Sequence, residues 1–168
     1  FPGDMQRIQA LVRSAVQTAY DVRGNSERGA CVVYVPGRDE ARKVHTTLCD
    51  LGVSAGLHTG HDGQGRVDDH YLSNKHNLDA WLAGQLDVIV ATSSFGLGIN
   101  KASVVLVVLY GLPPSVMATW QYAGRLARAP GVNGHCIIFH RQNDREILDS
   151  WVKKILEDDS APSWVGAL

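Results

Sequence analysis

Apolar residues recur along this chain at two alternating periods. Over 5–22 they fall at helical spacing: Ile8, Leu11, Val12, Val16 and Ala19, with Asp4 placed to cap the segment. RGNSERG then breaks the pattern. CVVYV (31–35) is a short continuous run, the mark of a strand buried on both faces. Residues 39–51 return to the helical period and stop at Gly52, and 53–58 reads as a weaker strand. Residues 67–82 predict a third helix, and DVIVAT (87–92) a second strongly buried strand. VVLVVLYG (104–111) is a third such strand and HCIIFH (135–140) a fourth. Between these two, Pro113–Pro114 and an N-capping Ser115 open a helix, and a last helix covers 144–156.

Strands alternating with helices, with the strands as unbroken apolar runs, predict an α/β fold: a parallel sheet with helices on both faces. In such sheets the working residues gather in loops beyond the carboxyl ends of strands. VPGR, HTGHDG and ATSSFGLGINK all follow strands. The expected organisation is an N-terminal helix and connection at 1–28, one α/β domain at 29–158, and a tail or linker at 159–168.

Composition narrows the function. The 168 residues suit one domain, and a net charge of −1 argues against coating nucleic acid through bulk positive charge. Any such contact has to be local. The three cysteines are widely spaced; Cys31 and Cys136 sit in apolar runs, so buried, reduced thiols in a reducing compartment are expected. No run approaches the ~18 apolar residues of a membrane helix, and no signal peptide is visible. The chain begins with Phe1, and is expected to be a piece of a longer protein.

The candidate chemistry lies in two loops. No G-x-x-x-x-G-K-[ST] phosphate loop is present, and no acidic pair is placed to hold Mg²⁺. After the 87–92 strand come the hydroxyls of Thr92, Ser93 and Ser94, then Gly96 and Gly98, then Asn100 and Lys101. Hydroxyls and bare amides suit phosphate oxygens, and they equally suit a polar turn. Further on, QYAGRLARAPG carries Arg125 and Arg128, with no acidic residue from Tyr110 to Asn143. If the helix opened by Ser115 runs through them, they share one face, either as a solvated surface or as a phosphate-binding fork.

Taken in order, these segments resemble the second RecA-like lobe of a superfamily 2 helicase, specifically of the RecQ family of DNA helicases. CVVYVPGRDEARKV resembles the family's fourth motif, GLHTG its short histidine–glycine motif, VIVATSSFGLGINK its fifth and QYAGRLAR its sixth. The resemblance spans about 31–139. The chain departs from the usual form at Tyr122, where an acidic residue commonly follows the glutamine. It departs again at Ala127, where a glycine commonly separates the arginines, and at Ala129–Pro130, where an acidic residue commonly follows the second arginine.

The resemblance implies a fold of the phosphate-loop NTPase type that lacks the loop itself. It implies an ATP with Mg²⁺ shared with an N-terminal RecA-like lobe, which would bind the metal. Arg128 would be the arginine finger, Arg125 its phosphate-binding companion and Gln121 a nucleotide sensor, while Gly98, Asn100 and Gly124 would line the ATP cleft. Gly37, Arg38, Thr59, Gly60, Thr92 and Ser93 would face single-stranded or partly duplex DNA, travelled 3′ to 5′. The whole protein would be intracellular, nuclear in a eukaryote, and the fragment alone inactive. Three alternatives stay open: a lobe that binds nucleic acid or protein without ATP turnover, an RNA helicase lobe, and an unrelated small-molecule-binding domain.

Overall fold

The computed structural model describes residues 2–22, 25–60, 67–95, 100–140, 143–146, 149 and 153. The chain opens with helix α1 (Pro2–Gln17), followed by an antiparallel hairpin of β1 (Ala19–Val22) and β2 (Asn25–Arg28). The main sequence of elements is then β3 (Ala30–Tyr34), α2 (Arg38–Asp50), β4 (Ala55–His58), α3 (Val67–Leu82), β5 (Val88–Ala91), β6 (Val104–Tyr110), α4 (Val116–Ala123) and β7 (His135–Phe139). No described helix is long and apolar enough to cross a membrane.

Strands β3 to β7 form one sheet in the order β4-β5-β3-β6-β7, and every neighbouring pair is parallel. Side chains alternate across a strand, so β3 divides itself between two cores. Cys31 and Val33 pack with Ile8 and Val12 of α1 and with Val44 and Leu48 of α2. Val32 and Tyr34 pack on the other face with Trp81 of α3, Phe95 and Tyr122 of α4. Full burial of each such aliphatic side chain is worth about 1.5–3 kcal/mol. The Trp81 indole N–H donates to the Cys31 carbonyl at 3.2 Å, which ties α3 to the middle strand. Helices on both faces of a parallel sheet are therefore observed, as the continuous apolar runs require.

The path from β5 to β6 matters most for function. Because the two strands are parallel, their connection starts at the carboxyl edge of the sheet and ends at the amino edge. Residues 92–103 make this descent, past β3, with no regular element among those described. A seven-residue strand spans on the order of 23 Å, so one loop serves both edges of the domain.

Four expectations need correction. The helix expected over 5–22 ends at Gln17, and 19–22 instead pairs with 25–28 inside the segment read as a break. Periodicity within a window does not see a strand whose support is the next strand. The helix opened by Ser115, whose Oγ accepts from the Ala118 N–H at 3.1 Å, stops at Ala123 and does not carry the two arginines. Cys136 is exposed, since β7 is an edge strand with only β6 beside it. The remaining correction concerns the site: the turn that carries Arg125 and Arg128 is pinned to the first residue of β6 by the Ala127 N–H bond to the Val104 carbonyl, and so does not lie beyond a strand carboxyl end. The last helix is described only at 143–146, 149 and 153, and the 61–66 loop lies outside the described residues.

Candidate functional site

The structure sorts the sequence candidates into two clusters. The first sits at the carboxyl edge, where β4, β5 and β3 end side by side. Thr59 and Gly60 follow β4, Thr92 and Ser93 follow β5, and Gly37 and Arg38 follow β3. Thr59 is buried, with 4% of its surface exposed, and Asn74 of α3 holds it. The Thr59 N–H donates to Asn74 Oδ1 at 3.3 Å, and its carbonyl accepts from Asn74 Nδ2 at 2.8 Å. Thr92 is buried as well, with its Oγ1 accepting from the Gly60 N–H at 3.3 Å and lying 3.2 Å from Ser94 Oγ. These two threonines join the β4 and β5 ends to each other. The exposed groups of the cluster are Ser93, Ser94 and Arg38. Gly37 caps α2 without a side-chain bond, so its helix presents first-turn N–H groups at this edge.

Beside this cluster, at the carboxyl ends of β3 and β6, lies a pocket of about 110 Å³. Tyr34, Tyr122, Pro36, Pro113 and Ser93 are among its walls. His58 packs edge-on against Phe95 at 5.0 Å. Burial, reinforced by the nearby His70, lowers its pKa, so it is neutral at neutral pH.

The second cluster lies at the amino end of β6. Gly124 ends α4 with its N–H donating to the Trp120 carbonyl at 2.8 Å, and the Ala127 N–H donates to the Val104 carbonyl at 2.9 Å. This bond pins the arginine-bearing turn to the first residue of β6. Ala127 takes a positive φ of 48°, which turns the chain sharply between the two arginines. Arg128 is exposed, and its Nε and Nη2 donate to the Gly124 carbonyl at 3.0 and 2.9 Å. Its Nη1 donates to Asn100 Oδ1 at 3.4 Å. These bonds orient the guanidinium. Gln121 is exposed one turn earlier. Gly98 lies outside the described residues.

Arg125 does not accompany Arg128 outward. It is half-buried and lines a small interior pocket with Val32, Trp81, Phe95, Lys101 and Val104. Lys101 is also buried: its Nζ donates to the Leu82 carbonyl at 3.0 Å, lies 3.9 Å from Glu27 and 5.7 Å from the Trp81 ring. Burial lowers the Lys101 pKa, against the opposing pull of Glu27. Lys101 thus anchors the lower end of the 92–103 loop to α3 and the hairpin.

Residues 8–130 match the helicase conserved C-terminal domain family. The chain belongs to that family. Its relatives include the RecQ-like DNA helicase blm-1 of Caenorhabditis elegans, 33% identical over 114 residues, which are 67% of this chain and 11% of that protein. The ATP-dependent DNA helicase RecQ of Bacillus subtilis is 32% identical over 120 residues, 71% of this chain and 19% of that one. The chain therefore spans only a small part of these relatives. Among solved structures, the Pyrococcus furiosus Hef helicase domain superposes with a TM-score of 0.59 at 26% identity, covering 88% of this chain and 28% of its own. Mycobacterium smegmatis helicase Lhr bound to ssDNA and AMP-PNP reaches a TM-score of 0.65 at 22% identity, covering 97% and 20%. The helicase C-terminal domain here has the RecA-like lobe fold, and the relatives above are ATP-dependent or RecQ-like DNA helicases.

Sequence reasoning missed three contributors to the helicase C-terminal domain's site. Asn74 and His70 of α3 support Thr59, the His70 Nε2 lying 3.4 Å from Thr59 Oγ1. Their separation from it in sequence left no local signal. In the sequence Tyr34 shows only as part of a buried strand, and its lone hydroxyl in an aliphatic run is the available clue.

Proposed function

We propose that this domain is the C-terminal motor lobe of an ATP-dependent 3′-to-5′ DNA helicase, completing an ATP site whose other half belongs to an N-terminal RecA-like lobe. The observation that carries this reading is the aim of Arg128. A guanidinium fixed by Gly124 and Asn100, and exposed beside the β5–β6 loop, is a preorganised partner for charge developing on a γ-phosphate. Arg128 is the finger in this reading. Asn100, Gly124 and Gly98 line the cleft, and Gln121 senses the nucleotide. The N-terminal lobe supplies the phosphate loop and holds Mg²⁺. At the opposite edge, Ser93, Arg38 and the backbone at Gly37, Gly60, Thr59 and Thr92 follow a single strand through its phosphates, which makes the contact largely blind to sequence. The 92–103 loop joins the two, so closure on ATP and grip on DNA share one piece of chain.

The inward turn of Arg125 favours one competing reading, a lobe that binds DNA or a protein without turning over ATP. A single experiment separates the two. In the full-length protein, Arg128→Ala is expected to lower DNA-stimulated ATP hydrolysis by ~10³-fold or more while ATP binding persists. Hydrolysis near the wild-type rate would remove Arg128 from the chemistry. A wild-type protein that binds DNA and hydrolyses no ATP would establish the competing reading.

A further inference from the structure

Strand β4 ends the sheet order, with β5 beside it on one side. An edge strand leaves alternate backbone groups without a ladder partner. On the side toward β5, the Ser54 and His58 carbonyls accept from the Val88 and Thr92 N–H groups at 3.1 and 3.2 Å. The carbonyls of Ala55, Leu57 and Thr59 alternate with these, and each meets a side chain from a helix instead of a strand. His45 Nε2 of α2 lies 3.2 Å from the Ala55 carbonyl. Asn77 Nδ2 of α3 donates to the Leu57 carbonyl at 2.8 Å. Asn74, about one turn earlier in α3, takes both backbone groups of Thr59, with Oδ1 accepting from the N–H and Nδ2 donating to the carbonyl. Asn74 therefore does for Thr59 what a neighbouring strand would do.

From Thr59 the contacts continue outward. The Gly60 N–H donates to Thr92 Oγ1 at 3.3 Å, and Thr92 Oγ1 lies 3.2 Å from Ser94 Oγ. A Cβ on Gly60 would stand 3.8 Å from that same Ser94 Oγ, so the glycine backbone and the serine hydroxyl are neighbours. Thr59 and Thr92 are buried, whereas Ser94 is exposed. One chain of contacts thus runs from Asn74, through Thr59, Gly60 and Thr92, to an exposed hydroxyl at the carboxyl edge.

We propose that Asn74 is a positioning residue for the single-strand contact, holding Gly60 and Thr92 so that Ser94 Oγ donates to a phosphate oxygen. The inference rests on the helicase reading above and adds Ser94 to its DNA face. A hydroxyl has one proton and two lone pairs. Thr92 accepts from Gly60 and gives its proton to Ser94, which leaves the Ser94 proton for the phosphate.

The test uses the full-length protein, a single-stranded oligonucleotide and ATP. Ser94→Ala and Asn74→Ala are each expected to raise the Kd for the oligonucleotide by about 3- to 10-fold, the range of one net hydrogen bond. The double variant should bind no more weakly than the weaker single one, because both changes break one chain. The lost contact is neutral and releases no counterion, so the slope of log Kd against log salt should stay at the wild-type value. Arg38→Ala should instead lower that slope by about 0.7. At saturating oligonucleotide, kcat and the KM for ATP should stay within about twofold of wild type in the Asn74 and Ser94 variants. Asn77→Ala, which loosens the same edge at Leu57, should leave the Kd within about twofold.

A wild-type Kd for Ser94→Ala or for folded Asn74→Ala overturns the proposal, as do effects that multiply in the double variant. An equal loss of affinity in Asn77→Ala overturns it too, by making the effect a general loosening of β4. A lowered kcat with an unchanged Kd in Asn74→Ala would do the same, by placing its action at the ATP site. If Asn74→Ala does not fold, Ser94→Ala must raise the Kd by itself or the proposal falls. If Arg38→Ala lowers the slope while the Asn74 and Ser94 variants bind as wild type, the DNA face survives without them. If the wild-type protein binds no oligonucleotide, both readings fall together.

Discussion

Ala127 holds a φ of 48° at the position where RecQ-type sequences commonly have glycine. A left-handed backbone costs a residue with a Cβ about 1–2 kcal/mol, and glycine returns part of that through its freer unfolded chain. Ala127→Gly is therefore expected to stabilise the domain by about 0.5–1 kcal/mol, raising its Tm by about 2–4 °C per kcal/mol gained. An unchanged or lower Tm in thermal unfolding would mean that the turn carries no strain. The position matters because the Ala127 N–H bonds to Val104, setting where Arg128 emerges. Tyr122 also has a place. An acid there would sit against the ring of Tyr34, where the tyrosine stacks instead. The departures from the common sixth motif are thus built into the packing around the arginines.

At the scale of elements, the domain depends on how closely α1 approaches the sheet. A Cβ on Gly29 would lie 2.3 Å from the Ala15 carbonyl oxygen and 2.8 Å from Val105 Cγ2. The first of these is helix backbone, so α1 itself would have to move. Gly29→Ala is expected to destabilise the domain by roughly 1–3 kcal/mol, read as a lower urea midpoint at constant m-value. Gly56→Ala meets Leu86 Cδ1 at 2.8 Å, the flexible end of a side chain, and should cost less. Equal costs at the two sites would mean that α1 is not held close by backbone contact. The hairpin β1–β2 is secured at the same edge by the 3.1 Å ion pair of Arg28 with Asp87, ahead of β5. Strands β3, β5 and β6 were legible as apolar runs because a strand buried on both faces needs no polar side, whereas β4 and β7 are partly exposed edge strands. The hairpin was not legible, since each of its strands is supported only by the other.

At the scale of the whole molecule, a net charge of −1 means that the proposed nucleic-acid contact would rest on local groups. Both clusters are surface features of one lobe, joined by the β5–β6 loop, and the proposed ATP site is incomplete without a second lobe. The purified 168-residue chain is accordingly expected to show no ATP hydrolysis above background with single-stranded DNA present. Measurable turnover would mean that the lobe carries a complete site of its own and would end the shared-site account. The sequence by itself determined the α/β class, the buried strands β3, β5 and β6 and the order of the motifs, because burial on both faces and the 3.6-residue period are local properties. Only the tertiary structure decided where the site residues face. It buried Thr59 and Thr92 against partners far along the chain, ended α4 before the arginines, and sent Arg128 outward and Arg125 in to the pocket lined by Trp81 and Phe95. Those outcomes follow from parallel strands that force a loop down the sheet and from one left-handed residue, neither of which periodicity records.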